Sequence, residues 1–159
     1  MSKILVIYDS LTGNTEKMAQ AVIEGINLVK GVESEIIKVG TPFSISKLTL
    51  ADAIIFGSPT RYGNVTSEMN AFLDAVKELK QAKKLEIAGK MGGAFGSYVW
   101  DGGWVTYKLE ADMKELGINI VASAVSAVDS MGAMRDRISD EWLQKCRELG
   151  KTIAEKLTQ

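Results

Sequence analysis

Stretches that are apolar on both faces alternate along this chain with stretches whose apolar residues recur at helical spacing. Residues 4–8 and 53–57 are continuous apolar runs, the pattern of strands buried on both sides in a parallel sheet. Weaker strand signals occur at residues 35–39, 90–96 and 118–128, and the last predicts one long final strand. Strands and helices alternate five times, which predicts an α/β fold with a doubly wound parallel sheet.

Four segments between and after these strands have an apolar stripe at helical spacing. The stripes are Met18, Val22, Ile26 and Val29; Met69, Phe72, Leu73, Val76 and Leu79; Val105, Leu109, Met113 and Leu116; and Trp142, Cys146, Leu149, Ile153 and Leu157. Residues 42–50 are expected to form a loop with one helical turn. Because there is no internal repeat or linker, we expect one domain over residues 1–159.

Composition excludes several kinds of function. The chain has no histidine and one cysteine, so the usual metal sites, disulfide frameworks and histidine-dependent catalytic triads are ruled out. A net charge of -1 gives no electrostatic reason to bind nucleic acid or an anionic membrane. No apolar run approaches the roughly 18 residues of a membrane span. We therefore expect a cytoplasmic protein without metal, membrane or nucleic-acid partners.

The segment after the first strand is rich in small polar residues. Ser10, Thr12 and Thr15 offer hydroxyl donors, Gly13 allows a close approach to the backbone, and Asn14 adds an amide. A loop between a buried strand and a helix N-terminus can hold an anion, because the first N–H groups of the helix are unpaired and its dipole favours negative charge. The loop is neither a P-loop nor a G-x-G-x-x-G motif. A plain strand-to-helix turn with a threonine cap explains the same residues equally well.

Two later loops contain aromatic residues beside glycines. Tyr62 precedes Gly63, and Tyr98 and Trp100 lie in the glycine-rich segment after the fourth strand. Large rings in such loops are costly to expose and are natural stacking surfaces, so we expect Tyr62 and at least one of Tyr98 and Trp100 to stack on a flat ligand. Trp104, at the start of a helix, is expected to cover the core. All three loops follow strands of one parallel sheet and should meet at its carboxyl edge, where such folds bind ligands.

Three segments resemble motifs of flavodoxin-like FMN-binding proteins. Residues 10–15 resemble the [ST]-x-T-G-x-T phosphate loop of flavodoxins. Residues 57–64 resemble the G-[ST]-P-T-[RL]-[FY]-G-N segment of the flavodoxin-like quinone reductases, the WrbA family. Residues 94–103 are similar to the A-F-G-S-Y-G-W-S-G-G loop in the flavodoxin domain of flavodiiron proteins. The three motifs occur in the order that these families have.

The resemblance implies a short-chain flavodoxin-like fold, with a five-stranded parallel sheet in the order 2-1-3-4-5, and a non-covalently bound FMN. It implies that the phosphate is held by Ser10, Leu11, Thr12, Gly13, Asn14 and Thr15. It also implies contacts to the cofactor from Pro59, Thr60, Arg61, Tyr62, Gly63, Asn64, Ser97, Tyr98, Trp100, Asp101 and Gly102. Gly63 matches the glycine whose peptide turns toward flavin N5 on reduction in flavodoxins.

Three functions are compatible with this resemblance. The first is an FMN electron-transfer protein, a monomer or small homo-oligomer, that shuttles electrons between a reductase and an acceptor protein. The second is an FMN-dependent NAD(P)H:quinone oxidoreductase, which the match at residues 59–64 favours, although the chain lacks a histidine near the flavin. The third is an interaction module that has lost its flavin, and the intact loops speak against it. The sequence therefore favours the electron carrier.

Overall fold

A parallel β-sheet forms the centre of the computed structural model, which describes residues 1–100, 102–129 and 138–159. The strands are β1 (Ser2–Tyr8), β2 (Val32–Lys38), β3 (Ala53–Pro59), β4 (Met91–Tyr98), β5 (Asn119–Ile120) and β6 (Val125–Val128). The helices are α1 (Asn14–Ile26), α2 (Ser46–Leu50), α3 (Ser67–Gln81), α4 (Val105–Glu115) and α5 (Asp140–Leu157). The sheet has the order β2-β1-β3-β4-β5, and β6 also pairs with β4. The doubly wound fold predicted from the sequence is confirmed.

The last strand differs from its prediction. One long strand over residues 118–128 was expected, and this is wrong, because two short strands, β5 and β6, pair side by side with β4. Met91 lies opposite Asn119 and Phe95 lies opposite Val125. Between these two pairings the last segment therefore contains two more residues than β4 does. Such a bulge interrupts the ladder, but an insertion of two residues preserves the alternation of side chains. The apolar pattern therefore carries no sign of the break.

Helices cover both faces of the sheet. Along β1, Leu5 and Ile7 pack into the core layer that contains α3 and α4, whereas Ile4 and Val6 pack into the layer that contains α1 and α5. Successive side chains of a strand point to opposite faces, so a strand covered on both sides must be apolar throughout. No helix within the described residues is long and apolar enough to span a membrane.

Helices α1 and α5 cross with their backbones in contact. A Cβ atom added to Gly25 would lie 1.9 Å from the carbonyl oxygen of Arg147, and one added to Gly150 would lie 2.1 Å from the carbonyl oxygen of Val22. Both neighbours are backbone atoms, which cannot turn away as a side chain can. The crossing therefore requires glycine on both helices.

We expect Gly150→Ala to lower the free energy of unfolding by about 1 kcal/mol. Overpacking costs roughly 1–3 kcal/mol when the neighbour must shift, and this exceeds the roughly 1 kcal/mol that alanine gains over glycine in a helix. Urea unfolding followed by far-ultraviolet circular dichroism measures the change. Lys151→Ala, on the exposed side of the same helix turn, is the control and should stay within about 0.5 kcal/mol of the unaltered protein. Equal stability of the two variants would contradict the crossing.

Candidate functional site

Three loops meet at the carboxyl edge of the sheet: the first loop (residues 9–13, after β1), the second loop (residues 60–66, after β3) and the third loop (residues 99–104, after β4). The hydroxyl groups of Thr15 and Ser97 lie 3.0 Å apart and join the start of α1 to the end of β4. The N–H and hydroxyl groups of Thr60 both donate to the Ser97 carbonyl oxygen at 2.9 Å. The predicted meeting of these loops is therefore confirmed.

A cavity of about 150 Å³ lies between the loops. Its lining consists of Leu11, Thr12, Asn14, Pro59, Thr60, Arg61, Ser97, Tyr98, Val99 and Asp129. All of these except Val99 and Asp129 were predicted site residues. The cavity is smaller than the roughly 300–1,000 Å³ of most small-molecule sites, so a ligand of nucleotide size would be partly enclosed and would extend over the surrounding loop surface.

Side chains of the first loop use some of its backbone donors. The Ser10 N–H donates to Asp9 Oδ1 at 2.8 Å. The N–H groups of Gly13 and Glu16 donate to Ser10 Oγ at 3.1 and 3.3 Å. These bonds pull the loop into a tight turn, and Gly13, with a φ of 99°, supplies the left-handed backbone that the turn needs.

Other donors of the same loop are left over. Within the part of the chain that the structure describes, the N–H groups of Leu11, Thr12 and Thr15 make no hydrogen bond, and neither does the Thr12 hydroxyl. The N-cap residue of α1 is Gly13, which has no side chain to cap the helix, and Ser10 Oγ satisfies the Glu16 N–H in the first turn. Thr15 is buried, and buried backbone donors are normally paired, whereas Leu11 and Thr12 are exposed. A group of N–H donors left open at a helix N-terminus is suited to an anion.

The tip of the second loop is a tight two-residue turn at Tyr62 and Gly63. The Arg61 N–H donates to the Asn64 carbonyl at 2.7 Å, and the Asn64 N–H returns the bond at 3.0 Å. Tyr62 has a φ of 51° and Gly63 a φ of 77°, the pattern of a type I′ turn. Glycine accepts this backbone freely, but for tyrosine it costs about 1–2 kcal/mol. The Asn64 side chain accepts the Val65 N–H at 2.7 Å and so stabilises the turn.

Two aromatic rings beside the cavity are almost fully exposed. Tyr62 exposes 94% of its surface and Trp100 exposes 92%. The guanidinium carbon of Arg61 lies 5.3 Å from the centre of the Tyr62 ring, within the range of a cation–π contact. Tyr98, at the end of β4, is half-buried and lines the cavity. These rings provide flat apolar surface on both the second and the third loop.

Trp104 was predicted to cover the core, and this is wrong. It is 62% exposed and packs against Tyr107, with 5.6 Å between the ring centres. The buried stripe of α4 begins at Val105 and continues at Leu109. Positions 104 and 107 are three residues apart and therefore share a different, exposed face of the helix.

The remaining predicted residues fall into three groups. Ser10, Gly13 and Thr15 belong to the first loop and the first turn of α1; Tyr62, Gly63 and Asn64 form the tip of the second loop; and Trp100 and Gly102 belong to the third loop. Asp101 lies outside the described residues. The described parts of the chain contain no cluster of histidine, cysteine, aspartate or glutamate that suits a metal ion.

Two carboxylates at this edge, Asp9 and Asp129, were not among the site residues predicted from the sequence. Asp9 is a carboxylate only 4% exposed, and it accepts a hydrogen bond of 2.5 Å from the hydroxyl of Thr66. Asp129, after β6, accepts a bond of 3.1 Å from the side-chain amide of Asn14. The one available signal was position, because Asp9 and Asp129 each come directly after a strand.

Comparison with known proteins places these features in a family. The sequence model of the flavodoxin family matches residues 6–150. The chain is 34% identical over 167 residues to a flavodoxin of Aquifex aeolicus, in a match that covers 98% of this chain and 86% of that protein. It is also similar to the solved structure of a flavodoxin from the domain Archaea, with a TM-score of 0.80, 31% identity and 99% of both chains covered.

A second kind of relative is named for a quinone reaction. The chain is 38% identical over 118 residues to the NAD(P)H dehydrogenase (quinone) of Acidithiobacillus ferrooxidans. That match covers 61% of this chain and 57% of the relative. The chain thus corresponds to little more than half the length of this relative.

A hydrogen bond beneath the first loop ties its two ends together. The Tyr8 hydroxyl, at the end of β1, donates to Glu16 Oε1 in the first turn of α1 at 2.8 Å. Burial of the phenol, together with this bond to a carboxylate, raises the pKa of Tyr8 to about 12. The folded protein thus keeps Tyr8 protonated at a pH where a free tyrosine ionises.

We expect Tyr8→Phe to cost about 1 kcal/mol of unfolding free energy at pH 7, the net value of a typical hydrogen bond. The pKa of Tyr8 is raised from 10 to about 12 in the folded protein, so the protonated phenol contributes its full stabilisation below pH 10. This stabilisation is lost as the pH rises toward 12. The difference in unfolding free energy between the unaltered protein and the variant should therefore shrink across this window. Urea unfolding at a series of pH values measures it, and lysine titration cancels between the two proteins. A constant difference would contradict the raised pKa.

Proposed function

From the premise that the chain belongs to the flavodoxin family, whose members bind flavin and work with redox partners, we propose that it holds one FMN non-covalently and carries electrons between a reductase and an acceptor protein. The donor set of the first loop is the observation that carries this proposal. The N–H groups of Leu11, Thr12 and Thr15, together with the Thr12 hydroxyl, match the several acceptor oxygens of a phosphate monoester.

A phosphate needs no lysine at this position. The partial positive charge of the α1 N-terminus and convergent N–H donors favour an anion by themselves. Ser10 is held by Asp9 and in turn accepts two N–H groups, so its role is to shape the turn as well as to offer its hydroxyl to the ligand. On this proposal residues 10–15 bind and orient one phosphate and cleave nothing.

The flat part of the cofactor requires apolar surface on the other two loops. Tyr62 and Trp100 supply exposed rings, and Tyr98 lines the cavity between them and the first loop. Both donors of Thr60 are used by the Ser97 carbonyl, so we assign Thr60 to holding the second loop in place. Gly63, at the tip, is exposed, so its peptide would be accessible to the cofactor.

The flavin, when bound, supplies the redox chemistry, and the side chains around it set its position and surroundings. The chain contains no histidine, so the usual proton-transfer residue of an oxidoreductase is missing. Electron transfer to another protein requires no acid or base from this chain. The residue set therefore agrees better with a carrier than with an enzyme that must protonate a substrate.

The proposal is tested by titrating the purified protein with FMN and with riboflavin, which lacks the phosphate. We expect Thr12→Val to weaken FMN binding by roughly ten- to a hundred-fold, the value of a hydrogen bond to a charged group, and to leave riboflavin binding unchanged. Thr41→Val is the control, because Thr41 is an exposed threonine outside the three loops. Failure of the unaltered protein to bind FMN at micromolar concentration would falsify the proposal.

Tyr62→Asn separates the role of the ring from that of the fold. Asparagine tolerates a positive φ, so relief of about 1 kcal/mol of backbone strain should offset the loss of the Arg61 contact, worth about 0.5 kcal/mol. We expect the stability of the ligand-free protein to be maintained while FMN affinity drops by about ten-fold, since stacking on an aromatic ring is worth roughly 1 kcal/mol or more. Lys83→Asn, at the other described non-glycine position with positive φ, should leave affinity unchanged. An undiminished affinity in Tyr62→Asn would remove Tyr62 from the site.

An FMN-dependent NAD(P)H:quinone oxidoreductase is the second candidate, favoured by the similarity to the Acidithiobacillus ferrooxidans protein. The two functions differ in what NAD(P)H does to the flavin-loaded protein. Steady oxidation of NAD(P)H with a water-soluble quinone would establish the enzyme. A carrier should show negligible turnover and should take up electrons in two separate one-electron steps during a redox titration.

A further inference from the structure

Asp9 links two of the three loops from within the protein. Its carboxylate accepts two hydrogen bonds, one on each oxygen: the Ser10 N–H at 2.8 Å on Oδ1 and the Thr66 hydroxyl at 2.5 Å on Oδ2. Ser10 begins the predicted phosphate segment, whereas Thr66 ends the second loop, 57 residues away in sequence from Asp9. The carboxylate is buried, so these bonds are shielded from water and are stronger than they would be on the surface.

The bond from Thr66 has a fixed direction. The Thr66 oxygen accepts the Met69 N–H at 3.2 Å and thereby caps α3, so the single hydroxyl proton is free to point away from the helix, toward Asp9. Only a carboxylate at position 9 accepts from both Ser10 and Thr66 with equal ease. An asparagine amide could accept from Ser10, but it would present N–H groups to the Thr66 oxygen and would leave the hydroxyl proton without its partner.

Thr66 makes two bonds that hold the base of the second loop, one to Asp9 and one to Ser58. The Ser58 hydroxyl oxygen accepts the Thr66 N–H at 3.2 Å, so both ends of the loop are held where it leaves and rejoins the core. The tip is held by the reciprocal bonds between Arg61 and Asn64 and by the bond from the Val65 N–H to the Asn64 side chain, and it is exposed to solvent. The position of Tyr62 relative to the first loop therefore depends on the anchor at Thr66.

We propose that Asp9 is a positioning residue that sets the second loop, with Tyr62 and Gly63, in register with the phosphate segment of the first loop. This inference rests on the proposed function, because it assigns the two loops to one ligand. Asp9 itself does not line the cavity and acts through Ser10 and Thr66. It fixes the distance between the part of the site that suits an anion and the part that suits a flat ring.

The test compares Asp9→Asn, Thr66→Val and Thr66→Ser in the full chain. We expect Asp9→Asn and Thr66→Val each to weaken FMN binding by about ten-fold, the equivalent of one hydrogen bond of about 1.4 kcal/mol, and to change the visible spectrum and fluorescence of the bound flavin. Thr66→Ser keeps the hydroxyl and should behave like the unaltered protein. The double variant Asp9→Asn with Thr66→Val should be no worse than either single variant, because both remove the same bond.

Asp52→Asn is the matched control. Asp52 also accepts a backbone N–H, from Lys3 at 2.8 Å, but it is exposed and lies outside the three loops. This substitution should change neither FMN affinity nor the flavin spectrum. A general effect of aspartate-to-asparagine substitution on stability would appear in the control and is thereby separated from positioning.

A second readout needs no flavin. In the ligand-free protein, hydrogen exchange at the Met69 amide should accelerate in Asp9→Asn and stay slow in Asp52→Asn, because the cap at Thr66 loses its support. If the unaltered protein binds no FMN, the proposed function fails, and this exchange still decides whether Asp9 holds the second loop. If FMN binds but Asp9→Asn leaves affinity, spectrum and exchange unchanged, the positioning role is overturned. If Asp9→Asn does not fold, the Thr66 variants decide. Weaker FMN binding and an altered flavin spectrum in Thr66→Val but not in Thr66→Ser would support the positioning role, and equal behaviour of the two would overturn it.

Discussion

The register of three parallel strands fixes where the site forms. Tyr8 of β1 lies opposite Gly57 of β3, and Gly57 lies opposite Phe95 of β4, so the strands reach the carboxyl edge together. The Phe95 ring packs over Gly57 so closely that a Cβ atom there would lie 2.1 Å from it. Glycine at position 57 thus lets a large ring sit in a fully covered sheet without changing the register. With that register set, the three following loops must meet.

The first loop then decides what kind of ligand this meeting point suits. Its early donors are used internally, by Asp9 and by the Ser10 hydroxyl, and this internal use bends the chain. The donors that remain, on Leu11, Thr12 and Thr15, belong to one short turn at the start of α1. A turn that satisfied all of its own N–H groups would have the same shape but no affinity for an anion. The affinity of the first loop for an anion therefore depends on which of its N–H groups make no hydrogen bond within the protein.

The sequence predicted those parts of the structure that local pattern determines. Residues 4–8 and 53–57 were predicted as buried strands because they are apolar on both faces, and both faces are covered in the structure. The ends of these strands then located the polar loops that follow them. The two-residue bulge between β5 and β6 was invisible because it preserves the alternation of side chains. The pairs Asp9–Thr66 and Asn14–Asp129 were missed for a different reason. Their partners are 57 and 115 residues apart, and only the strand register brings them together.

The second loop combines a firm base with a strained tip, and the two properties require each other. Tyr62 holds a left-handed backbone and exposes a large ring, and both features cost free energy. In the ligand-free protein the ring is contacted by the Arg61 guanidinium. Such a conformation persists only if its surroundings leave the chain no cheaper path. Buried bonds at Ser58 and Thr66 fix where the loop starts and ends, and the Arg61–Asn64 pair leaves two residues to reverse direction. A loose base would let the tip relax and turn the ring away, so the strain at Tyr62 is maintained by the carboxylate at Asp9.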